Sequence, residues 1–199
     1  MPDYPEQYTI RRKFFRLFGA AFHVYDAQDK VVGYCKQKSF RIREDIRIYT
    51  DESKSKELLS ITTKSIIDFS GTYFINTPDG QTVGMMRRKG LVSTFFRDEW
   101  EILSPKGEVV AKLREKGGFL SFARRYVDLV SIFSPQQFEI LRNDGSLAAV
   151  LRQHFNIFVY RMGIAIIDDE RRNSDGIEDL TILAAACLVS AIEGKQDSA

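Results

Sequence analysis

The run Asp179 to Ile192 constrains this chain more than any other segment, because after its opening aspartate it carries no charge and nearly every residue is apolar or small. A helix built from it is apolar on all sides, so it must be enclosed by protein or inserted in lipid. Its ends are well specified. Asp175 and Glu178 form an Asp-x-x-Glu capping box, Glu178 and Asp179 place negative charge at the positive end of the helix dipole, and Gly194 with Lys195 closes the segment. A helix over about 176–193 is roughly 27 Å long, but its uncharged centre covers only ~21 Å. A bilayer core is ~30 Å thick. The expectation is a buried core helix and no transmembrane span.

A chain of 199 residues with 44% hydrophobic content supports one sizeable domain. A short N-terminal tail, 1–7, precedes a domain spanning 8–196. Nothing at the start resembles a signal peptide, which predicts a cytoplasmic protein that is at most peripheral to the membrane. Cys35 and Cys187 provide no disulfide framework and read as reduced core residues. A net charge of +2 is too small to indicate a nucleic-acid binder.

The remainder reads as strands, and four segments share one pattern when they are aligned on the turns at Asp29, Gly80, Gly107 and Gly145. Before each turn stand Phe22 and Val24, Tyr73 and Ile75, Trp100 and Ile102, or Phe138 and Ile140, in period-2 alternation. After it come Gly33 and Cys35, Gly84 and Met86, Ala111 and Leu113, or Ala149 and Leu151, which define an inward face. On the opposite parity lie Lys36, Arg87, Arg114 and Arg152, then Lys38, Lys89, Lys116 and His154. Pro78-Asp79-Gly80, Pro105-Lys106-Gly107 and Asn143-Asp144-Gly145 supply hairpin turn chemistry. Further strand-like runs are Tyr8 to Phe15, Asp45 to Tyr49, Leu58 to Thr63, Ile66 to Phe69 and Ile157 to Ile167, and Phe119 to Phe133 reads as a short amphipathic helix ended by Pro135.

Many hairpins and one apolar helix point to a mainly β fold, a closed antiparallel barrel of about twelve strands around the C-terminal helix. Closure removes exposed sheet edges, and a barrel of that size leaves an interior that side chains alone do not fill. Ala184, Ala185, Ala186 and Ala191 permit close approach of the strands, while Leu180, Leu183, Leu188 and Ile192 fill wider spaces.

Seven pieces, in order along the chain, carry a resemblance: Arg11-Arg12-Lys13-Phe14-Phe15, Phe22-His23-Val24-Tyr25-Asp26, Lys36-Gln37-Lys38-Ser39-Phe40, Arg43-Glu44-Asp45-Ile46, Gly84-Met85-Met86-Arg87-Arg88-Lys89-Gly90, Arg97-Asp98-Glu99-Trp100 and Ala191-Ile192-Glu193-Gly194. Over about residues 8–196 the chain resembles the tubby C-terminal-like superfamily, in its LURP-one-related and phospholipid scramblase branch. The resemblance implies a barrel wrapped around a C-terminal helix. Tubby-like domains bind phosphoinositides through basic residues on the barrel, scramblases are associated with phospholipid movement, and plant LURP-one relatives are linked to defence. The phosphoinositide ligands of the tubby branch have no residue-by-residue match here.

Lys36, Lys38, Arg87, Arg88, Lys89, Arg114 and Lys116 recur on three hairpins and are the candidates for binding anionic headgroups, with Arg11, Arg12, Lys13, Arg124 and Arg125 as an extension. The competing reading is that outward strand positions carry Lys and Arg for solubility and edge protection, with Glu44, Asp45, Glu99, Glu101 and Glu115 neutralising part of the patch. Asp168, Asp169, Asp175, Glu178 and Asp179 stand where a calcium loop would be. An EF-hand pattern anchored on Gly176 puts Arg171 and Ile182 at ligand positions, which neither can serve, so Asp175 is read as a helix cap and the others as solvated. His23 and His154 are the only histidines and no catalytic signature is present, so no enzyme activity, metal or cofactor is expected. Nucleic-acid binding lacks a recognisable module, although basic residues interleaved with Phe14, Phe15, Phe95 and Phe96 keep it formally open.

The expected function is a non-enzymatic phospholipid-headgroup or membrane-surface binding module, and the alternative is a structural or protein-interaction barrel with no lipid role. Anionic phospholipid or phosphoinositide headgroups are the expected partners. Because each buried apolar side chain of the helix contributes ~1.5 to 3 kcal/mol, deleting residues 177–199 should abolish soluble expression. A truncated chain that stays soluble with native-like circular dichroism would refute the central-helix architecture.

Overall fold

The computed structural model describes residues 4–13, 21–37, 45–63, 71–89, 99–116, 136–154, 159–172 and 177–196. Twelve strands follow one another in the described residues: β1 (Tyr8–Lys13), β2 (Ala21–Asp26), β3 (Val31–Gln37), β4 (Asp45–Tyr49), β5 (Glu57–Thr63), β6 (Thr72–Asn76), β7 (Thr82–Lys89), β8 (Glu99–Leu103), β9 (Val109–Glu115), β10 (Gln137–Arg142), β11 (Leu147–His154) and β12 (Val159–Ile166). Each pairs antiparallel with its neighbours in sequence, and β1 also pairs with β12, closing the barrel. The helix α1 (Asp179–Gln196) comes last. The expected strand at Ile66 to Phe69 and helix at Phe119 to Phe133 lie outside the described residues.

The alignment that revealed the hairpins has a backbone cause. Asp29, Gly80, Gly107 and Gly145 all have positive φ, between 63° and 88°, and each donates its amide to the carbonyl three residues earlier: Asp26, Thr77, Ser104 and Arg142. A left-handed residue followed by a register shift is a bulged hairpin turn, and all four hairpins shift there. The hairpin β4–β5 uses the same device at Lys54, with φ 57°, but its loop is longer, closing between Thr50 and Lys56. Two added residues take it out of the common spacing, which is why the four-way alignment does not contain it.

The inward face follows the repeat. Cross-strand neighbours Phe22 and Cys35, Ile75 and Gly84, Ile102 and Ala111, and Leu151 and Phe138 are all buried. Near the turns this face pairs Val or Ile with Gly or Ala; two residues further along it pairs aromatics with Cys, Met or Leu. The barrel is therefore roomier where α1 enters and more tightly filled beyond. At Gly84 β7 and α1 approach closely, since a Cβ there would stand 3.2 Å from Thr181 Oγ1. Deeper along α1, Ser190 Oγ lies 3.5 Å from Met162 Sδ on β12.

Ala184, Ala185, Ala186, Leu188 and Ala191 are buried as the enclosed helix requires. Leu180 is the correction: it is 42% exposed, because α1 begins at Asp179 and its first turn stands at the barrel mouth. Glu178 occupies the position preceding the helix, its carbonyl accepting from the Thr181 and Ile182 amides, so capping falls three residues later than the Asp175 box implies. Asp175 itself is outside the described residues. Cys35 and Cys187 are unbridged and buried, and burial, reinforced by the hydrogen bond to Cys187, pushes the Cys35 thiol well above its ordinary range.

Thr181 Oγ1 is buried and has no hydrogen-bond partner among the described residues. A buried hydroxyl without a partner costs stability that an isosteric methyl does not. Thr181→Val should raise stability by about 1 kcal/mol, and Gly84→Val, which forces bulk against Thr181, should lower it by about 1 to 3 kcal/mol. Urea denaturation midpoints check both signs.

Candidate functional site

Outward positions on β7 to β10 build two rows of alternating charge. In the first, Arg87, Glu101 and Lys112 are cross-strand neighbours, and Arg87 donates through Nε and Nη2 to Glu101 Oε2 at 3.0 and 2.6 Å. In the second, Lys89, Glu99, Arg114 and Glu139 follow in register. Glu139 receives Arg114 at 3.7 Å and Lys116 at 2.7 Å, and Lys112 reaches Glu99 at 3.8 Å. The local origin is simple: period-2 alternation turns Glu99 and Glu101 outward while Trp100 faces in. Opposite charges facing across strands stabilise the sheet by a few tenths of a kcal/mol to about 1 kcal/mol per pair.

The seven headgroup candidates do not form one patch. Arg87, Arg114 and Lys116 come together on the β7–β9 wall. Lys36 lies on β3, six strands from β9 in the ring of twelve, and its cross-strand neighbour is Arg47. Arg88 falls on the inward parity, where its guanidinium sits 5.9 Å from the Trp100 ring centroid. Lys89 is placed by backbone register opposite Glu99, and Lys38 lies outside the described residues. Of the proposed extension, Arg11 points outward over the Tyr25 ring at 4.4 Å and pairs with Asp29, whereas Arg12 is opposite Tyr160 on the inward parity. Arg124 and Arg125 are outside the described residues. Lys36, Arg87, Arg88, Arg114 and Lys116 share an end of the barrel, toward the strand ends remote from the bulged turns, whereas Arg11 reaches Asp29 in the β2–β3 turn.

The acidic segment before α1 is a second constellation: Asp168 and Glu178 are exposed as expected, whereas Asp169 and Asp179 are partly buried in ion pairs. Arg172 donates to Asp179 Oδ2 at 2.7 Å and to Asp168 Oδ1 at 3.1 Å. Arg142, whose side chain is 6% exposed, donates to Leu147 O at 2.6 Å and to Asp169 Oδ1 at 3.1 Å. Arg171 pairs with Asp169 and with Asp144 in the β10–β11 turn. Three arginines thus fasten the start of α1 to β10 and its turn. Among the described residues no three His, Cys, Asp or Glu side chains gather as a metal-holding group. Arg172 is held protonated chiefly by the hydrogen bonds it donates to Asp179 and Asp168, and Asp144 is held down to about 2, first by the Ser146 hydroxyl and amide and then by Arg171.

The histidines each meet one carboxylate. His23 Nε2 is 2.6 Å from Glu52 and its ring lies 5.1 Å from that of Tyr34; His154 Nε2 is 2.7 Å from Glu6. Sequence reasoning missed Glu6, Glu52 and Glu139, and only Glu139 carried a signal, the outward parity between inward Phe138 and Ile140.

Because the Asp144 carboxyl is depressed, its ion pair is complete above the ordinary value of 3.8 and is lost as pH falls through about 2. Carboxyl NMR should show that midpoint, and Ser146→Ala should raise it further than Arg171→Ala.

A family model described as LURP-one-related matches residues 31–182, from β3 to the first turn of α1, well over half of the chain. No curated protein and no solved structure matches. The matched span omits β1 and β2, which the ring nevertheless requires, because β1 closes it against β12. The chain belongs to the LURP-one-related family, within the tubby-like and scramblase-like superfamily.

Proposed function

We propose that this barrel is a non-enzymatic module that meets anionic phospholipid headgroups with its outer surface. The observation that carries the reading is the recurrence of cations at one end of the barrel, delivered by the outgoing strands as Lys36, Arg87, Arg114 and Lys116 with Arg88 at the rim. The apolar helix supports it indirectly. Being enclosed by strands, α1 is committed to the core, and no helix among the described residues is long and apolar enough to cross a membrane. Contact with a bilayer would then fall to the barrel exterior.

The carboxylates Glu101 and Glu139 set the strength of such contact. They orient Arg87, Arg114 and Lys116 but also compete with phosphate for them, so headgroup binding would be weak and would fall with salt. The same alternation favours a second reading, a protein-interaction barrel without a lipid role, since rows of paired charges specify register against a partner better than they attract a uniformly anionic surface.

Vesicle flotation of the full chain separates the two. Binding to phosphoinositide-containing vesicles should fall at least about tenfold when Arg87, Arg88 and Lys89 are changed to Glu, and should rise when Glu101 and Glu139 are changed to Gln. Absence of flotation with any anionic vesicle at low salt would exclude the lipid reading.

A further inference from the structure

The N-terminal residues Glu6 and Gln7 lie beside β12. Gln7 secures them: its amide donates to Ile164 O at 2.9 Å, its side chain donates to Ile166 O at 3.2 Å, and it accepts from the Ile166 amide at 2.7 Å. This anchorage does not involve Glu6. The Glu6 carboxylate instead lies directly on Gly163, so closely that a Cβ at position 163 would overlap it, and its Oε1 is 2.7 Å from His154 Nε2.

The surroundings of that carboxylate are those of an anion cradle. Gly163 is on the outward parity of β12, flanked in register by Arg152 on β11 and Thr9 on β1. The adjacent row is His154, Arg161 and Arg11, again three neighbouring strands. Arg152 beside it and His154 and Arg161 in the next row therefore border an outward strand position that has no side chain. Removing a side chain from a sheet surface exposes backbone and makes room for a ligand, and guanidinium groups suit the planar, multiply accepting oxygens of carboxylate and phosphate.

We propose that Gly163, Arg152, His154 and Arg161 form a binding site for a phosphate monoester, and that Glu6 occupies it in cis as an internal carboxylate stand-in. The site is separate from the β7–β9 cations. Its ligand must displace Glu6 while Gln7 keeps the segment docked, so the apparent affinity of the native chain is reduced by the fraction of molecules in which Glu6 fills the cradle.

The test uses the full chain and its Glu6→Gln variant, titrated with inorganic phosphate and with glycerol phosphate while the His154 ring resonances are followed by NMR. The same proteins are floated with vesicles containing phosphatidic acid, using phosphatidylglycerol at equal charge as the control. Glu6→Gln should bind at least one phosphate monoester about tenfold more tightly than the unaltered chain. Adding His154→Ala and Arg152→Gln should abolish the gain. Binding of the soluble phosphates alone assigns a soluble ester, and selective flotation with phosphatidic acid assigns a lipid headgroup. Equal affinity of the two chains, or a gain that survives loss of His154 and Arg152, overturns the proposal. Gly163→Val on the Glu6→Gln background, with folding verified by circular dichroism, should also eliminate binding by filling the cradle.

Discussion

Enclosure of one helix by a closed sheet is the interaction on which the rest of this molecule depends. Ala184, Ala185, Ala186, Cys187, Leu188 and Ala191 are all buried, so α1 has no side that tolerates water over this stretch. A sheet with free edges would leave part of that surface uncovered and its own edge amides unpaired; the β1–β12 pairing removes both problems together. The barrel in turn needs the helix, because inward Gly33, Gly84, Ala111 and Ala149 leave space that strand side chains alone do not occupy. Each part is insoluble or hollow without the other.

That dependence explains how the polar groups are distributed. Where α1 emerges, Arg142, Arg171 and Arg172 take up Asp144, Asp168, Asp169 and Asp179, locking the helix start to the β10–β11 turn. Carboxylates that a chain with fewer arginines could turn toward a cation are thereby used for structure. Elsewhere on the barrel, charge is arranged across strands: Glu101 and Glu139 meet cations on the β7–β9 wall, and Glu6 and Glu52 meet the two histidines. For the proposed anion binding, the question is therefore which paired charge gives way. Glu6 differs from the rest because it is carried by the N-terminal segment and rests on a glycine.

Much of the barrel was legible because two local codes coincide at each hairpin. Period-2 alternation names the inward residues, and a left-handed turn residue marks the reversal, as at Gly80, Gly107 and Gly145. Where one code was altered, legibility dropped. The β4–β5 hairpin turns at Lys54 within a longer loop, and neither its spacing nor its residue type announces the conformation. The candidate site was legible residue by residue as outward cations. It was not legible as an arrangement, since Lys36 and Arg114 follow the same local rule yet stand on opposite walls.

By itself the sequence determined that the C-terminal helix must be covered, which strand residues face it, and where most of the chain reverses, because burial parity and turn conformation are properties of a few neighbouring residues. Tertiary structure decided everything that depends on meeting across the ring. It placed Glu6 on Gly163, set Asp169 against Arg142, and exposed Leu180 at the barrel mouth. Those outcomes depend on register, closure and the depth at which α1 is inserted, and these are set by the packing of all the strands together rather than by any one segment.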